Sequence, residues 1–126
     1  MGKKILVVDD NPDTVAMMRQ LLEKEGYELS VAYNGEEGYR QARVVLPDMI
    51  LLDIMMPIMD GYTMNLYLKE RPETQNIPVV VISARSGMAP MFETEKGAPI
   101  QGYMVKPVNS KVLLLKIEEV FKMRTP

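Results

Sequence analysis

Apolar residues fall into short uninterrupted runs along the chain, and these runs alternate with segments whose apolar residues recur at helical spacing. The runs at residues 5–8, 49–52 and 79–82 each hold four apolar residues, which is typical of strands buried on both faces. Two weaker runs, at residues 28–31 and 103–105, have the character of edge strands. The pattern therefore predicts five strands.

Capping and turn residues mark where the intervening helices begin. Asn11-Pro12-Asp13 supplies an N-cap, a first-turn proline and an acid, and Gly26 is placed to end that first helix. Asn34-Gly35 and Asp60-Gly61 open a second and a third helix, and Asn109 caps the last one. Helices are therefore predicted after strands one, two, three and five.

The stretch between strands four and five is rich in residues that break helices. Three glycines and two prolines lie between residues 87 and 102. Because both residue types disfavour a helix interior, we expect only a short helix there, over residues 90–96, followed by a long loop. This is the part of the chain whose conformation the sequence defines least.

Alternation of strands and helices predicts an α/β fold in which a parallel sheet is covered by helices on both faces. The weaker second and fifth strands belong at the edges, which favours a doubly wound five-stranded sheet with strand order 2-1-3-4-5. In such sheets ligands bind beyond the carboxyl ends of the strands, where the strand order reverses. The functional residues are therefore expected at those ends.

Polar side chains follow four of the five predicted strands. Asp9 and Asp10 follow strand one, Asp53 follows strand three, Ser83 follows strand four and Lys106 follows strand five. A single acid after an apolar run is more often a turn or cap residue than a functional one. Three acids, a hydroxyl and a cation that converge from four separate places in the sequence instead predict a functional site.

The residue types of this set indicate the chemistry. Three carboxylates at close range repel one another unless a cation is present, and hard oxygen ligands open to water favour Mg²⁺. Lys106 and Ser83 are suited to contact phosphoryl oxygens. Because the sequence contains no Gly-rich phosphate loop, we expect the phosphoryl group to be carried on a carboxylate, as an aspartyl-phosphate.

Composition excludes several other functions. The 126 residues include no cysteine and no histidine, which excludes disulfides, thiolate catalysis and imidazole bases. The formal net charge of −2 offers no basic surface for nucleic acid, and no apolar run has the length of a signal peptide or of a membrane span. We expect a single cytoplasmic domain, residues 1–126, that binds neither nucleic acid nor membrane.

Four motifs together carry a resemblance to a known family. They are Asp9-Asp10, the segment Asp53-Ile-Met-Met-Pro-Ile-Met-Asp-Gly61, Ser83-Ala84, and Tyr103-Met-Val-Lys106-Pro107. With these motifs the chain resembles the receiver domain of bacterial two-component response regulators over residues 4–121. The resemblance implies a flavodoxin-like fold of three layers. It also implies a phosphoryl donor in the form of a sensor histidine kinase or a histidine phosphotransfer protein, and leaves the output partner open.

The resemblance implies a role for each residue at the metal site. Asp53 is the phosphoacceptor, and Asp10 and Asp53 bind Mg²⁺ together with the backbone carbonyl of Met55. Asp9 contributes through a water molecule. We therefore expect Mg²⁺ to be the cofactor.

The resemblance also implies how the phosphoryl group is contacted and sensed. Lys106 contacts the phosphoryl group, and Ser83 and Tyr103 form a switch pair that changes the partner-binding face. A chain without histidine cannot supply its own phosphohistidine, so the donor is a partner.

The sequence leaves two alternative functions open. One is a magnesium-dependent phosphatase with an aspartyl intermediate, although Met55 occupies the position two residues after Asp53 where the haloacid dehalogenase type needs an acid. The other is a pseudo-receiver that binds partners without being phosphorylated. A pseudo-receiver is expected to lack one of the acids or the lysine, and this chain has them all.

Overall fold

Five parallel strands form one sheet in a computed structural model of the chain, which describes residues 2–92 and 99–124. The strand order is β2-β1-β3-β4-β5, which confirms the predicted doubly wound α/β fold. The strands are β1 (Lys4–Val8), β2 (Glu28–Ala32), β3 (Met49–Leu52), β4 (Val79–Ser83) and β5 (Gly102–Val105).

Four α-helices connect or follow the strands, and polar side chains cap their first turns. They are α1 (Pro12–Lys24), α2 (Gly35–Val45), α3 (Gly61–Lys69) and α4 (Ser110–Arg124). The side chains of Asn11, Asn34 and Asp60 accept hydrogen bonds from first-turn amides of α1, α2 and α3, and Asn109 does so for α4. The predicted starts of all four helices are therefore confirmed.

The sheet separates two apolar layers, because successive strand residues point to opposite faces. Ile5 and Val7 of β1 face the layer that α1 and α4 complete. Leu6 and Val8 face the layer that α2 and α3 complete. Both layers are buried, so the strand ends are held in fixed positions from above and below the sheet.

The segment after β4 contains a 3₁₀ turn, Ala89–Phe92, in place of the start of the predicted short helix. Residues 93–98 lie outside the described residues, so the rest of the prediction for residues 90–96 is not tested. Phe92 is buried in the layer of α2 and α3, which ties the turn to the core. Among the residues that the structure describes, none of the helices has both the length and the apolar character of a membrane span.

Candidate functional site

Backbone pairing carries two of the predicted acids to neighbouring positions at the carboxyl end of the sheet. Val8 of β1 pairs with Leu52 of β3, so the next residues along the two strands are Asp9 and Asp53. The amide of Asp53 donates to the Val8 carbonyl at 2.9 Å, which extends the ladder by one residue. The register of two central strands therefore determines where these carboxylates lie.

The three acids form a cluster. Asp9, Asp10 and Asp53 each offer a carboxylate oxygen, and these oxygens lie within 4.8 Å of one another. Asp9 and Asp53 are only 3% and 5% exposed, whereas Asp10 is exposed. Two carboxylates are therefore largely withdrawn from water, and the third faces solvent.

Lys106 reaches the cluster from the end of β5. Its Nζ atom lies 2.8 Å from Asp9 Oδ2 and 3.4 Å from Asp53 Oδ2. Burial alone lowers the pKa of Lys106, but the hydrogen bonds and negative charges of Asp9 and Asp53 outweigh burial and the pKa is raised. The lysine therefore stays protonated and is a fixed positive charge between two acids.

The Asp53 carboxyl has a raised pKa. Burial is the largest cause and the negative charge of Asp9 is the next, while Lys106 and the Met55 amide act in the opposite direction. The Met55 N–H donates to Asp53 Oδ1 at 3.4 Å. The ionised form of Asp53 is thus disfavoured by its surroundings, and a cation at the cluster would stabilise it.

The Asp53→Asn variant without Mg²⁺ is expected to be more stable than the parent at neutral pH. The pKa of Asp53 is higher in the folded than in the unfolded chain. Its ionisation therefore lowers the stability as the pH rises from the unfolded pKa through the folded pKa. Replacing the charge by a neutral amide should therefore raise the free energy of unfolding. Urea denaturation of both chains measures this difference.

Acidification should reduce the difference in unfolding free energy between Asp53→Asn and the parent, because protonation of Asp53 in the parent removes the same unfavourable charge. Denaturation curves at neutral pH and at a pH below the folded pKa of Asp53 test the sign. A variant less stable than the parent at neutral pH, or a gap that widens in acid, would contradict this description of Asp53.

The donor set fits Mg²⁺. Oxygen ligands with at least one solvent-exposed carboxylate suit a cation that keeps several waters. Met55 follows Asp53 by two residues in the loop after β3, so its carbonyl belongs to the same loop as the central acid. The residues predicted as metal ligands, Asp9, Asp10, Asp53 and Met55, are thus gathered at one end of the sheet.

Ser83 and Tyr103 are linked through Arg85, because both side chains form hydrogen bonds to its backbone. Ser83 is the last residue of β4 and is fully buried, and its Oγ accepts a hydrogen bond from the Arg85 amide at 3.3 Å. The Tyr103 hydroxyl donates to the Arg85 carbonyl at 2.5 Å. The family resemblance implied the pair but not this link, because a backbone contact leaves no signal in side-chain type.

Gly61 allows α3 to start directly against the central acid. A Cβ atom at this position would lie 2.1 Å from the backbone carbonyl oxygen of Asp53. The Gly61 amide also donates to the Ile54 carbonyl at 2.9 Å. A glycine is therefore required here for space, which the sequence indicated only as a helix start.

Comparison with known proteins gives consistent matches. A family model described as the response regulator receiver domain matches residues 5–118. Response regulator PleD of Caulobacter vibrioides is 38% identical over 125 residues, which are 98% of this chain and 27% of PleD. Protein PilH of Pseudomonas aeruginosa is 34% identical over 118 residues, which are 93% of this chain and 96% of PilH.

A solved structure agrees with the fold. The CheY-like response regulator receiver domain protein from Methanospirillum hungatei superimposes with a TM-score of 0.86 at 30% sequence identity, covering 98% of this chain and 96% of that chain. The chain thus has the fold of a CheY-like protein. It spans about a quarter of the length of PleD but nearly all of PilH.

Proposed function

This chain belongs to the response regulator receiver domain family, and from that membership and the geometry of the acid cluster we propose that it is a phosphoacceptor domain of two-component signalling. The observation that carries the proposal is the position of Asp53. Its nearly buried carboxylate lies 3.4 Å from the Lys106 ammonium and beside the carboxylates of Asp9 and Asp10. A nucleophile, a cation and the ligands for a metal therefore occupy one site.

Asp53 would act as the nucleophile. One of its carboxylate oxygens forms a bond to phosphorus while the bond from phosphorus to a histidine nitrogen of the partner breaks. Lys106 already lies within reach of Asp53 and would contact a phosphoryl oxygen. Its charge offsets the negative charge that the phosphoryl group brings to a site that holds three acids.

Asp10, Asp53 and the Met55 carbonyl would bind Mg²⁺, and Asp9 would act through a water molecule. When bound, Mg²⁺ lowers the repulsion among the carboxylates and stabilises charge on the phosphoryl oxygens. The direct ion pair of Asp9 with Lys106 at 2.8 Å supports an indirect role for Asp9, because that carboxylate already has a cationic partner. Asp10 is exposed and forms no such pair among the described residues, which suits a direct ligand.

The phosphoryl donor we propose is a sensor histidine kinase or a histidine phosphotransfer protein, in the cytoplasm. These 126 residues contain no histidine, so the phosphohistidine lies outside them. The chain covers 27% of PleD and 96% of PilH, so the relatives leave the output partner open.

The proposed function is tested by the intact mass of the chain after incubation with a small acyl phosphate. The parent should gain one phosphate when Mg²⁺ is present and much less when Mg²⁺ is removed by a chelator. Failure to gain phosphate with Mg²⁺ and excess donor would contradict the proposal, since the small donor bypasses the unidentified kinase.

Ser83 and Tyr103 would transmit phosphorylation to the face around β5. Ser83 Oγ now accepts the Arg85 amide hydrogen, so a serine that turns to bond a phosphoryl group must release that amide. Tyr103 holds the carbonyl of the same residue, and therefore responds to any displacement of Arg85. Coupling of this kind is typically about 1 to 3 kcal/mol, which biases a conformational equilibrium without locking it.

The Ser83→Ala variant is expected to bind beryllofluoride with Mg²⁺ but to lose most of the chemical-shift response at Tyr103. Beryllofluoride is the probe because it stands in for the phosphoryl group on a carboxylate. Two-dimensional NMR of the labelled parent and variant measures the response.

Ser86→Ala is the matched control, because Ser86 is an exposed serine in the same loop. It should respond like the parent. If Ser83→Ala shows the same beryllofluoride-induced chemical-shift change at Tyr103 as the parent, the Ser83 hydroxyl does not couple the phosphorylation site to Tyr103.

A further inference from the structure

The loop between Asp53 and α3 contains an unusual backbone turn. Ile58 has a φ of 69°, which is an outlier for a β-branched residue. The Met59 amide donates to the Pro57 carbonyl at 2.7 Å, so the three residues form a γ-turn of the rare, strained kind. The Ile58 side chain is 76% exposed, so its packing does not compensate for the strain.

The start of α2 holds this turn in place. The Gly35 amide donates to the Met59 carbonyl at 2.8 Å, directly after the strained residue. A Cβ atom on Gly35 would lie 2.3 Å from that oxygen and 2.9 Å from its carbon. Gly35 does not have a positive φ, so glycine is required for space and not for backbone conformation.

Asn34 fixes the position of that amide. Its side chain caps α2 by accepting from the Glu37 amide at 2.8 Å, and Gly35 is the first residue of the helix. The Gly35 amide is one of the first-turn donors that have no partner within the helix, and the loop carbonyl supplies that partner. A helix distant in sequence therefore fixes one point of the loop.

The other contacts of the loop lie beside the acid cluster. Gly61 bonds the Ile54 carbonyl and packs on the Asp53 carbonyl, and the Met55 amide bonds the Asp53 carboxylate. Met55, whose carbonyl is a proposed metal ligand, thus lies between the central acid and the strained turn. A strained turn persists only where its surroundings determine it. Here Met56 and Met59 pack against the layer of α2 and α3, and the Gly35 amide adds a direct hydrogen bond to the turn from outside the loop.

We propose that Gly35 is a positioning residue for the metal site. By holding the Met59 carbonyl, it maintains the strained turn and with it the loop conformation that presents Met55 to Mg²⁺. The inference rests on the proposed Mg²⁺ site. It adds a residue in a different helix that acts on the site only through the loop.

Calorimetric titration of the purified chain with Mg²⁺ tests this role without phosphorylation. Loss of a group that orients a metal ligand typically lowers metal affinity about 10- to 100-fold, so Gly35→Ala should weaken Mg²⁺ binding by at least about tenfold. Gly38→Ala is the control in the same helix. A Cβ atom on Gly38 would lie 2.9 Å from the Met64 and Val8 side chains, so this substitution crowds the core and does not contact the loop.

A second measurement uses the parent alone, in case Gly35→Ala does not fold. Coupling is reciprocal, so if the Gly35 contact favours Mg²⁺ binding, Mg²⁺ must also favour the contact. Hydrogen exchange at the Gly35 amide should slow on addition of Mg²⁺, while exchange at the Gly38 amide, which bonds Asn34 within α2, should change less.

The outcomes separate the two proposals. A parent that binds Mg²⁺ with unchanged exchange at Gly35, or a folded Gly35→Ala variant that binds Mg²⁺ as tightly as the parent, would overturn the role of Gly35 and leave the proposed function intact. An equal loss of Mg²⁺ affinity in Gly35→Ala and Gly38→Ala would also overturn the positioning role of Gly35. A parent that binds no Mg²⁺ would contradict the proposed function itself, and this inference with it.

Discussion

Asp53→Asn is expected to take up no phosphate from a small acyl phosphate under conditions in which the parent takes up one. An amide keeps the shape of the side chain and its neighbours Asp9 and Lys106, but its oxygen is a far weaker nucleophile than a carboxylate oxygen. The effect should therefore be complete within the detection limit. Intact-mass spectra of both chains, recorded after the same incubation with Mg²⁺, measure it.

Asp60→Asn is the matched control for this experiment. Asp60 is an exposed acid of the same loop that caps α3, and asparagine is an equally good cap. This variant should be phosphorylated like the parent. If Asp53→Asn gains phosphate as readily as Asp60→Asn, a different residue is the acceptor.

The second large effect is expected at the adjacent acids Asp9 and Asp10. As a direct ligand, Asp10 should contribute more to the metal site than Asp9, which is held by Lys106 at 2.8 Å. Loss of an outer-shell partner typically lowers metal affinity about 10- to 100-fold, so we expect Asp9→Asn to weaken Mg²⁺ binding by about tenfold and Asp10→Asn, which removes a direct ligand, to weaken it by at least about 100-fold. Calorimetric titration of each variant measures both.

The two variants control for each other, because both remove one negative charge from the same cluster. Equal losses would indicate that only the total charge matters. A larger loss in Asp9→Asn than in Asp10→Asn would contradict the proposed division into a direct and an indirect ligand.

The features that sequence predicted well are those with a local cause. The apolar runs defined β1, β3 and β4, and their lack of polar positions placed them at the centre of the sheet. The caps of the four helices could be predicted because each depends on a side chain within a few residues of the helix start. The convergence of Asp9, Asp53 and Lys106 followed from the strand order alone.

The features that sequence could not predict depend on contacts between distant backbones. Nothing in Pro57-Ile58-Met59 indicates a γ-turn, since isoleucine disfavours a positive φ and the turn is held by Gly35. The link from Ser83 to Tyr103 through Arg85 also uses main-chain atoms. The helix predicted over residues 90–96 begins within a 3₁₀ turn, Ala89–Phe92, since prolines and glycines disfavour an α-helix but do not specify what forms instead. Residues 93–96 lie outside the described residues.

The position of the phosphoryl group shows directly whether Asp53 is the acceptor. An aspartyl-phosphate is an acyl phosphate, which borohydride reduces to homoserine, so reduction after phosphorylation marks the acceptor with a stable change of mass. Peptide mapping of the parent, phosphorylated with Mg²⁺ and then reduced, should show homoserine at position 53 and unmodified acid at Asp9, Asp10 and Asp60. Homoserine at one of those other acids, or none at position 53 in a chain that has gained phosphate, would show that Asp53 is not the acceptor.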